Sequence, residues 1–355
     1  MPLFIASMSH SQIAWGHTGA YALFVLLILA MLALDLGVFH RKVHAPSFRE
    51  AAAWTMVWVG VAAMFNVAVY FLYKHHALGL GLDVPVLGAP DQLQTVDGAT
   101  AAKTFLGAYL LEKSLSMDNV FVIAVIFGSL GIPAMYQHRV LFWGIVGALA
   151  MRGAMIALGS ALVSNLAWTT YLFGGVLIVT AVKMCFARTD TVNPEVSLVV
   201  RVLKRLVPLS DRIDGQRFFT RIDGRRCATP LLVALALVEF TDLIFAVDSI
   251  PAVFALTSDP FIVFTSNIMA ILGLRSLYFC LATMVTRMRF LKPALIIVLL
   301  FAGAKMCLVH TPFKVPMDVS LLVVLGVLMA GALGSLLYDR FGARPSDSPE
   351  SRSCL

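Results

Sequence analysis

Long apolar stretches separated by polar connectors dominate the hydrophobic pattern of this chain. A helix needs roughly 20 apolar residues to cross the ~30 Å hydrocarbon core of a bilayer. Nine stretches meet this requirement, at residues 16–39, 51–73, 104–128, 139–163, 167–187, 229–256, 261–284, 293–311 and 318–338. The pattern therefore predicts an all-α fold, a polytopic transmembrane helical bundle of about nine spans.

The basic residues of the connectors predict the direction of these spans. In a nine-span arrangement, one side of the membrane receives only three lysines, Lys74, Lys103 and Lys314, whereas the connectors on the other side hold most of the Lys and Arg residues. Eight or ten spans would scatter these charges over both sides. Because cytoplasmic loops carry the excess of Lys and Arg, we expect the N-terminus outside and the C-terminus in the cytoplasm.

The composition excludes several classes of protein. The chain has 355 residues, of which 59% are hydrophobic and 13% charged, and its mean hydropathy is +0.87. A soluble domain is about half apolar and about one quarter charged, so a soluble enzyme is excluded. The net charge of +7 is typical of cytoplasmic loops and does not indicate a nucleic-acid partner. The five cysteines show no CxxC spacing and predict neither a disulfide framework nor a zinc site.

The longest polar connector after the second span covers residues 188–228 and is strongly basic. Apolar and basic residues alternate around 196–207 in a way that predicts a short amphipathic helix. The simpler interpretation is a helix that lies on anionic lipid. The alternative is a segment that binds a cytoplasmic partner.

The chain also contains an internal repeat of three helices. Asp118-Asn-Val-Phe in the third predicted helix resembles Asp242-Leu-Ile-Phe in the sixth. Arg152 follows the first aspartate by 34 residues, and Arg275 follows the second by 33. The stretches Ala-Val-Lys-Met-Cys and Gly-Ala-Lys-Met-Cys then end the fifth and eighth helices. A unit of three helices crosses the membrane an odd number of times, so the second unit begins on the opposite side from the first. Helices 3–5 and 6–8 should therefore form an inverted pair, as in many secondary transporters.

The repeat divides the chain into five predicted segments. They are residues 1–102 with two helices and an extracytoplasmic loop, 103–187 with the first repeat, 188–228 with the basic cytoplasmic loop, 229–311 with the inverted second repeat, and 312–355 with the last helix and a cytoplasmic tail. The first two helices and the last lie outside the repeat, so we expect them at the periphery. A substrate site is expected near the bilayer midplane, where the repeats meet.

Ten ionisable residues fall inside the predicted spans of the two repeats, where each charge costs at least about 2.5–3.5 kcal/mol. They are the acids Glu112, Asp118, Glu239, Asp242 and Asp248 and the bases Lys113, Arg152, Lys183, Arg275 and Lys305. The third and sixth helices alone carry several acids, and they occupy equivalent positions in the two repeats. This clustering favours a functional site.

The spacing of the acids suggests how such a site would be built. Glu239 and Asp242 are three residues apart and share one helix face. Asp248 reaches the same site only if its helix bends, for which Pro251 gives a reason because it lacks an N–H group. Carboxylates and an amide oxygen are hard ligands that suit Mg²⁺, Ca²⁺ or Mn²⁺. The predicted metal ligands are Glu112, Asp118, Asn119, Glu239, Asp242 and Asp248.

A purely structural interpretation competes with this one. The acids and bases would then neutralise one another in buried pairs, with Arg152 and Arg275 as counter-ions of Asp118 and Asp242. The two lysines at the ends of the fifth and eighth helices would extend towards the membrane interface.

Two segments, Leu111 to Asn119 and Glu239 to Pro251, resemble the signature stretches of the TerC family of integral membrane proteins. The resemblance covers roughly residues 15–340, and the nine spans resemble the longer, Alx-like members. It implies a place among LysE-type transporters, whose cores are inverted three-helix repeats, in a bacterial-type inner membrane. It also implies a link to tellurium resistance, manganese export or metal loading of secreted enzymes, with the acids Glu112, Asp118, Glu239, Asp242 and Asp248 as the implicated residues.

These observations together predict a secondary transporter, and not an enzyme, that exports a divalent metal cation. Mn²⁺ is the expected ion, the bilayer and the ion are the expected partners, and no resident cofactor is expected. No GxxxxGK[ST] motif occurs, so coupling to a proton gradient is expected. One alternative is an oxyanion transporter of the tellurite type that uses Arg152, Arg275, Lys183 and Lys305. The other is a membrane scaffold that binds a partner through residues 188–228.

Overall fold

The computed structural model describes residues 10–37, 47–87, 89–166, 168–186, 198–210, 212–222, 225–281, 290–309, 311, 313 and 315–342. Within these residues the helices are α1 (His10–Gly37), α2 (Phe48–Lys74), α3 (Gly98–Ser129), α4 (Ala134–Asn165), α5 (Thr169–Phe186), α6 (Leu198–Leu206), α7 (Pro230–Phe254), α8 (Pro260–Ile271), α9 (Leu274–Leu281), α10 (Leu291–Leu308) and α11 (Met317–Gly342). Two antiparallel hairpins pair β1 (Val84–Val86) with β2 (Ala89–Gln94) and β3 (Phe219–Ile222) with β4 (Arg225–Ala228).

The helices confirm the predicted polytopic bundle. Seven stretches of the described chain are long and apolar enough to cross a membrane: 17–34, 48–74, 134–163, 169–186, 230–254, 260–280 and 318–335. Two further long helices, α3 and α10, cover the predicted spans 104–128 and 293–311. Charged residues in the middle of α3, Glu112 and Lys113 among them, reduce the apolar character of that helix.

The predicted span 261–284 is divided in the structure. Its first part is α8, its second part is α9, and the helix is interrupted at Leu272 and Gly273. At Gly273 an added Cβ would lie 2.9 Å from Cβ of Trp58, so the glycine allows α2 to pass close to the interruption. The apolar pattern was continuous across this point and predicted the span but not the break within it.

The two repeats interlock in the structure. The first helix of each repeat packs along the second helix of the other, so that α3 lies on α8 and α4 lies on α7. The third helices of the repeats, α5 and α10, pack along each other, and α3 also contacts α7. The helices outside the repeat contact this core from its edges, α2 on α3 and α9, and α11 on α10 and α3. This reciprocal packing is what an inverted pair of three-helix repeats requires.

The basic connector contains the predicted amphipathic helix and an unpredicted hairpin. The helix α6 covers Leu198–Leu206 and packs against α7. Its apolar side chains, Val200 and Leu203 among them, join a core cluster at that end of the bundle. Its basic residues Arg201, Lys204 and Arg205 remain outside this contact, and all three are exposed.

Candidate functional site

Arg152, near the middle of α4, is the centre of a buried polar cluster. Only 1% of its surface is exposed. Its Nε donates to Oδ2 of Asp242 at 3.0 Å, and its Nη2 donates to Oδ1 of the same carboxylate at 2.7 Å. This two-pronged geometry is the strongest form of arginine–carboxylate pairing. Nη1 of Arg152 also donates to Oε1 of Glu112. One guanidinium therefore joins an acid of the first repeat to an acid of the second.

Two neutral side chains complete the hydrogen bonding around the guanidinium. Asn267 of α8 accepts from Nη1 of Arg152 through Oδ1 at 3.1 Å. Its Nδ2 donates to Oε2 of Glu112 at 3.1 Å. Ser249 of α7 lies 3.5 Å from Nη1 and contributes a weaker contact. The cluster thus draws on α3, α4, α7 and α8, the four helices that interlock the repeats.

Tight helix packing brings these groups together. Glu112, Arg152 and Asp242 each lie near the midpoint of their helix, which corresponds to the bilayer midplane. Gly147 of α4 faces α7 directly, and an added Cβ there would overlap the carboxylate of Glu239. Because α4 carries no side chain at this point, it approaches α7 closely enough for Arg152 to reach Asp242.

The described part of the cluster carries an imbalance of charge. Glu112 and Asp242 contribute two potential negative charges, and Arg152 contributes one positive charge. A buried charge is tolerated only when it is paired or neutralised. Within the cluster itself one negative charge remains, which a proton or a second cation can neutralise, and Lys113, the next residue on α3, interacts electrostatically with Glu112 from outside it. The side chain of Asp118, which was predicted to belong here, lies outside the described residues.

Asn119 adds an open coordination position beside Asp242. It is 5% exposed, and its Nδ2 lies 3.5 Å from Oδ1 of Asp242. Its Oδ1 is buried and has no hydrogen-bond partner among the described residues. A cavity of about 20 Å³ adjoins both residues and is also lined by Thr241 and Arg275. This volume is enough for about one water molecule. An unpaired acceptor oxygen next to a carboxylate suits a small cation or its bound water.

The structure does not bring all the predicted acids together. Glu239 lies against Gly147 and is partly buried, one turn from Asp242 on α7. Asp248 accepts a hydrogen bond from Oγ1 of Thr180 in α5 at 2.6 Å. Helix α7 runs without a break to Phe254 and holds Pro251 in its last turn, so the proline does not interrupt the helix between Asp242 and Asp248. Within the described residues no three His, Cys, Asp or Glu side chains form a cluster able to hold a metal ion.

The remaining intramembrane bases have other surroundings. Arg275 lies 3.0 Å from Nε2 of His138 through its Nη1. Lys113 donates to the backbone oxygen of Ala270 at 3.1 Å. Lys305 lines a separate cavity at one end of the bundle. Arg152 is thus the observed counter-ion of Asp242, whereas the structural interpretation matched Arg152 with Asp118 and Arg275 with Asp242. The same contacts place Arg152 inside the candidate site.

Comparison with known proteins agrees with this architecture. The model of the integral membrane protein TerC family matches residues 97–344. The chain is 46% identical over 336 residues to an uncharacterized membrane protein of Myxococcus xanthus, covering 94% of this chain and 98% of the relative. It is 43% identical over 310 residues to a putative membrane-bound redox modulator, Alx, of Escherichia coli strain K12, covering 86% and 90%. No solved structure matches the chain significantly. The chain is therefore a membrane protein that belongs to the TerC family.

Proposed function

We propose that this protein is a secondary transporter that exports a divalent cation, with Mn²⁺ as the expected ion, from the cytoplasm of a bacterial-type cell. One observation carries the proposal: Arg152 joins Glu112 of the first repeat to Asp242 of the second at the middle of the bundle. Inverted-repeat transporters place their substrate at this position. Any ligand that competes for these carboxylates changes the contact between the repeats.

The chemistry of the site suits a hard divalent cation. Its oxygens are two carboxylates, the unpaired amide oxygen of Asn119 and the hydroxyl group of Ser249. Such ligands bind Mg²⁺, Ca²⁺ and Mn²⁺. An arriving cation takes one carboxylate from Arg152, because the two positive groups compete for the same oxygens. Release of the cation restores the ion pair and couples occupancy to the movement of one repeat against the other.

The oxyanion alternative receives less support from this geometry. Arg152 is the most buried arginine of the site, and both carboxylates already occupy it. An anion approaching the guanidinium would meet Glu112 and Asp242 at close range. The cost of like charges in a medium of low dielectric constant therefore favours a cation.

The test is transport in proteoliposomes under an imposed pH gradient. The full chain is compared with a variant that carries both Asp118→Asn and Asp242→Asn, while Asp318→Asn serves as a control because that acid is exposed on α11. We expect the double variant to lose at least about tenfold in Mn²⁺ flux, since removal of an essential charge costs more than 1.4 kcal/mol of interaction. The control should transport normally.

Thermal unfolding in detergent accompanies the flux measurement, so that loss of activity can be separated from loss of fold. Full activity in the double variant contradicts the carboxylate site. A wild-type protein that moves none of Mn²⁺, Ca²⁺ and Mg²⁺ contradicts the transport function itself.

A further inference from the structure

A cavity of about 390 Å³ opens at the end of the bundle that carries the β1–β2 hairpin. Its walls come from the first turns of α3, the segment that follows α7, and the last turn of α10. Thr100 and Thr104 contribute to the first wall, Thr257 to the second and Lys305 to the third. The cavity thus lies between elements of both repeats and has a mixed polar and apolar lining.

The cavity and the central cluster share helix α3. Thr104 and Glu112 lie eight residues apart on one stripe of α3, a rise of about 12 Å along a helix. Between them is Gly107, where an added Cβ would collide with Leu321 and contact Leu256. Leu256 also lines the cavity. Apolar side chains therefore pack against α3 between the cavity residue Thr104 and the cluster residue Glu112.

Lys305 gives the cavity a positive charge without a described ion pair. Its side chain is partly buried, and none of the salt bridges among the described residues includes it. Asp97 lies in the same lining, but its carboxylate accepts the backbone N–H groups of Ala99 and Thr100 at 3.2 and 3.4 Å. Hydrogen bonding by the Thr100 side chain, followed by these backbone groups, lowers the pKa of Asp97. Asp97 therefore stays ionised, but it is exposed at the start of α3, where water and salt screen its charge more than that of the partly buried Lys305.

The equivalent lysine of the first repeat has a different environment. Lys183 is exposed near the end of α5, and it interacts electrostatically with Asp248. Asp248 is held in place by Thr180. A carboxylate thus interacts with the lysine of one repeat, while the lysine of the other shares its cavity with the exposed carboxylate of Asp97. The two ends of the bundle differ in charge although their sequences repeat.

We infer that this cavity is the exit vestibule of the transport path and that Lys305 is a positioning residue whose charge opposes re-entry of the released cation. The inference rests on the proposed export of a divalent cation and names the exit path and a residue that weakens rebinding of the cation from outside. Lys305 acts through its field and does not ligate the ion. A positive charge in the vestibule lowers the local concentration of cations, so that binding from the outer side becomes weaker.

The vestibule is tested by thiol labelling of the full chain in intact cells, independently of transport. The five natural cysteines are replaced by alanine, and Val309→Cys is introduced because Val309 lines the cavity one turn from Lys305. Arg201→Cys on α6 marks the cytoplasmic side. We expect impermeant methanethiosulfonates to modify position 309 from outside but not position 201. If Val309→Cys does not fold, Val315→Cys on the same lining replaces it.

The charge of the vestibule is measured as the ratio of the rates at which anionic and cationic thiol reagents modify Val309→Cys. With Lys305 present, the anionic reagent should react faster at position 309. Lys305→Gln should lower this ratio by about fivefold, the size expected for one unit charge in a wet cavity. Lys305→Arg should preserve the ratio, and Lys183→Gln should leave it unchanged. No external labelling, or a ratio indifferent to Lys305→Gln, overturns the inference.

A flux measurement then tests the directional role. In proteoliposomes that export Mn²⁺, external Mn²⁺ should inhibit Lys305→Gln at about one-fifth of the concentration that inhibits the wild type. Equal inhibition of both proteins overturns the role of Lys305. If the wild type carries no cation, the proposed function fails while the labelling result still decides whether the vestibule exists.

Discussion

At the scale of single residues, the buried charge of Arg152 is paired with Glu112 and Asp242, and each of these acids has Arg152 as its ion-pair partner. The guanidinium uses Nε and Nη2 for Asp242 and Nη1 for Glu112, Asn267 and Ser249. A buried pair of this kind adds little net stability compared with an apolar core, but loss of one partner leaves an uncompensated charge. The cluster is therefore sensitive to any single substitution and suited to a reversible exchange of partners.

Arg152→Gln should destabilise the protein strongly. The substitution leaves Glu112 and Asp242 without their shared counter-ion, and we expect a loss of about 3–5 kcal/mol in the free energy of unfolding. Thermal unfolding in detergent measures the change. Arg201→Gln, on the exposed face of α6, is the matched control and should change stability by less than about 0.5 kcal/mol. Addition of Asp242→Asn to Arg152→Gln should recover part of the loss. Equal stability of the wild type and Arg152→Gln would contradict the central role of the ion pair.

The sequence predicted the charged members of the cluster better than the neutral ones. Glu112 and Asp242 stood out because a charge inside an apolar span is costly. Asn267 and Ser249 lie in apolar runs and carry no charge, so neither hydropathy nor charge distinguished them from other residues of the core. A polar amide in the middle of a span, as at Asn267, was the one available signal. The arginine's choice of partners depends on helix packing and was not readable from spacing.

At the scale of elements, glycines set how closely the helices approach. Where α5 crosses α10, an added Cβ at Gly174 would lie 2.9 Å from the backbone oxygen of Gly303. An added Cβ at Gly303 would lie 2.8 Å from the oxygen of Gly174 and from Cγ1 of Ile178. Small residues allow this kind of backbone contact between membrane helices. The third helices of the two repeats are therefore held together by backbone proximity as well as by apolar side chains.

Gly303→Ala should weaken this crossing. Its new methyl group meets backbone atoms, which cannot move aside without separating the helices, so we expect a loss of about 1–3 kcal/mol. Gly175→Ala is the control, because an added Cβ there has no atom within 4 Å. The control should be neutral or slightly stabilising, since alanine favours the helix over glycine. Unfolding in detergent compares the two variants, and an equally harmless Gly303→Ala would show that the crossing is looser than described.

The sequence located the elements but not their irregularities. Apolar length alone predicted where the long helices lie, because hydrocarbon thickness imposes it. The interruption at Gly273 was missed, since the close contact with Trp58 at this point involves a residue far away in the sequence. Pro251 was expected to bend α7, but it occupies the last turn and does not interrupt the helix. The hydrophobic pattern did not predict the two β hairpins, because their strands have only three to six residues.

At the scale of the whole molecule, the inverted repeat provides two equivalent ends that differ in the described state. One end has the vestibule beside Lys305, lined by Leu256 just beyond the end of α7. At the other end, Ile132 lies just beyond the end of α3, and it is buried in a core cluster. Ile132 precedes Leu256 by 124 residues, as Asp118 precedes Asp242. Ile132 is therefore the counterpart of Leu256; both side chains are 4% exposed and buried in core clusters, and Leu256 also borders the vestibule.

Alternating access predicts that these two ends exchange their states during transport. In the cysteine-free chain, Ile132→Cys should react slowly with a thiol reagent supplied from the cytoplasmic side at rest, because its side chain is 4% exposed. Mn²⁺ and a pH gradient should raise the modification rate of Ile132→Cys from the cytoplasmic side. They should lower the modification rate of Val309→Cys from outside, because one opening closes as the other forms. Asp242→Asn, added to each labelled variant, should abolish both changes. Rates that rise together would indicate a channel, and rates indifferent to Mn²⁺ would remove the exchange of states from the mechanism.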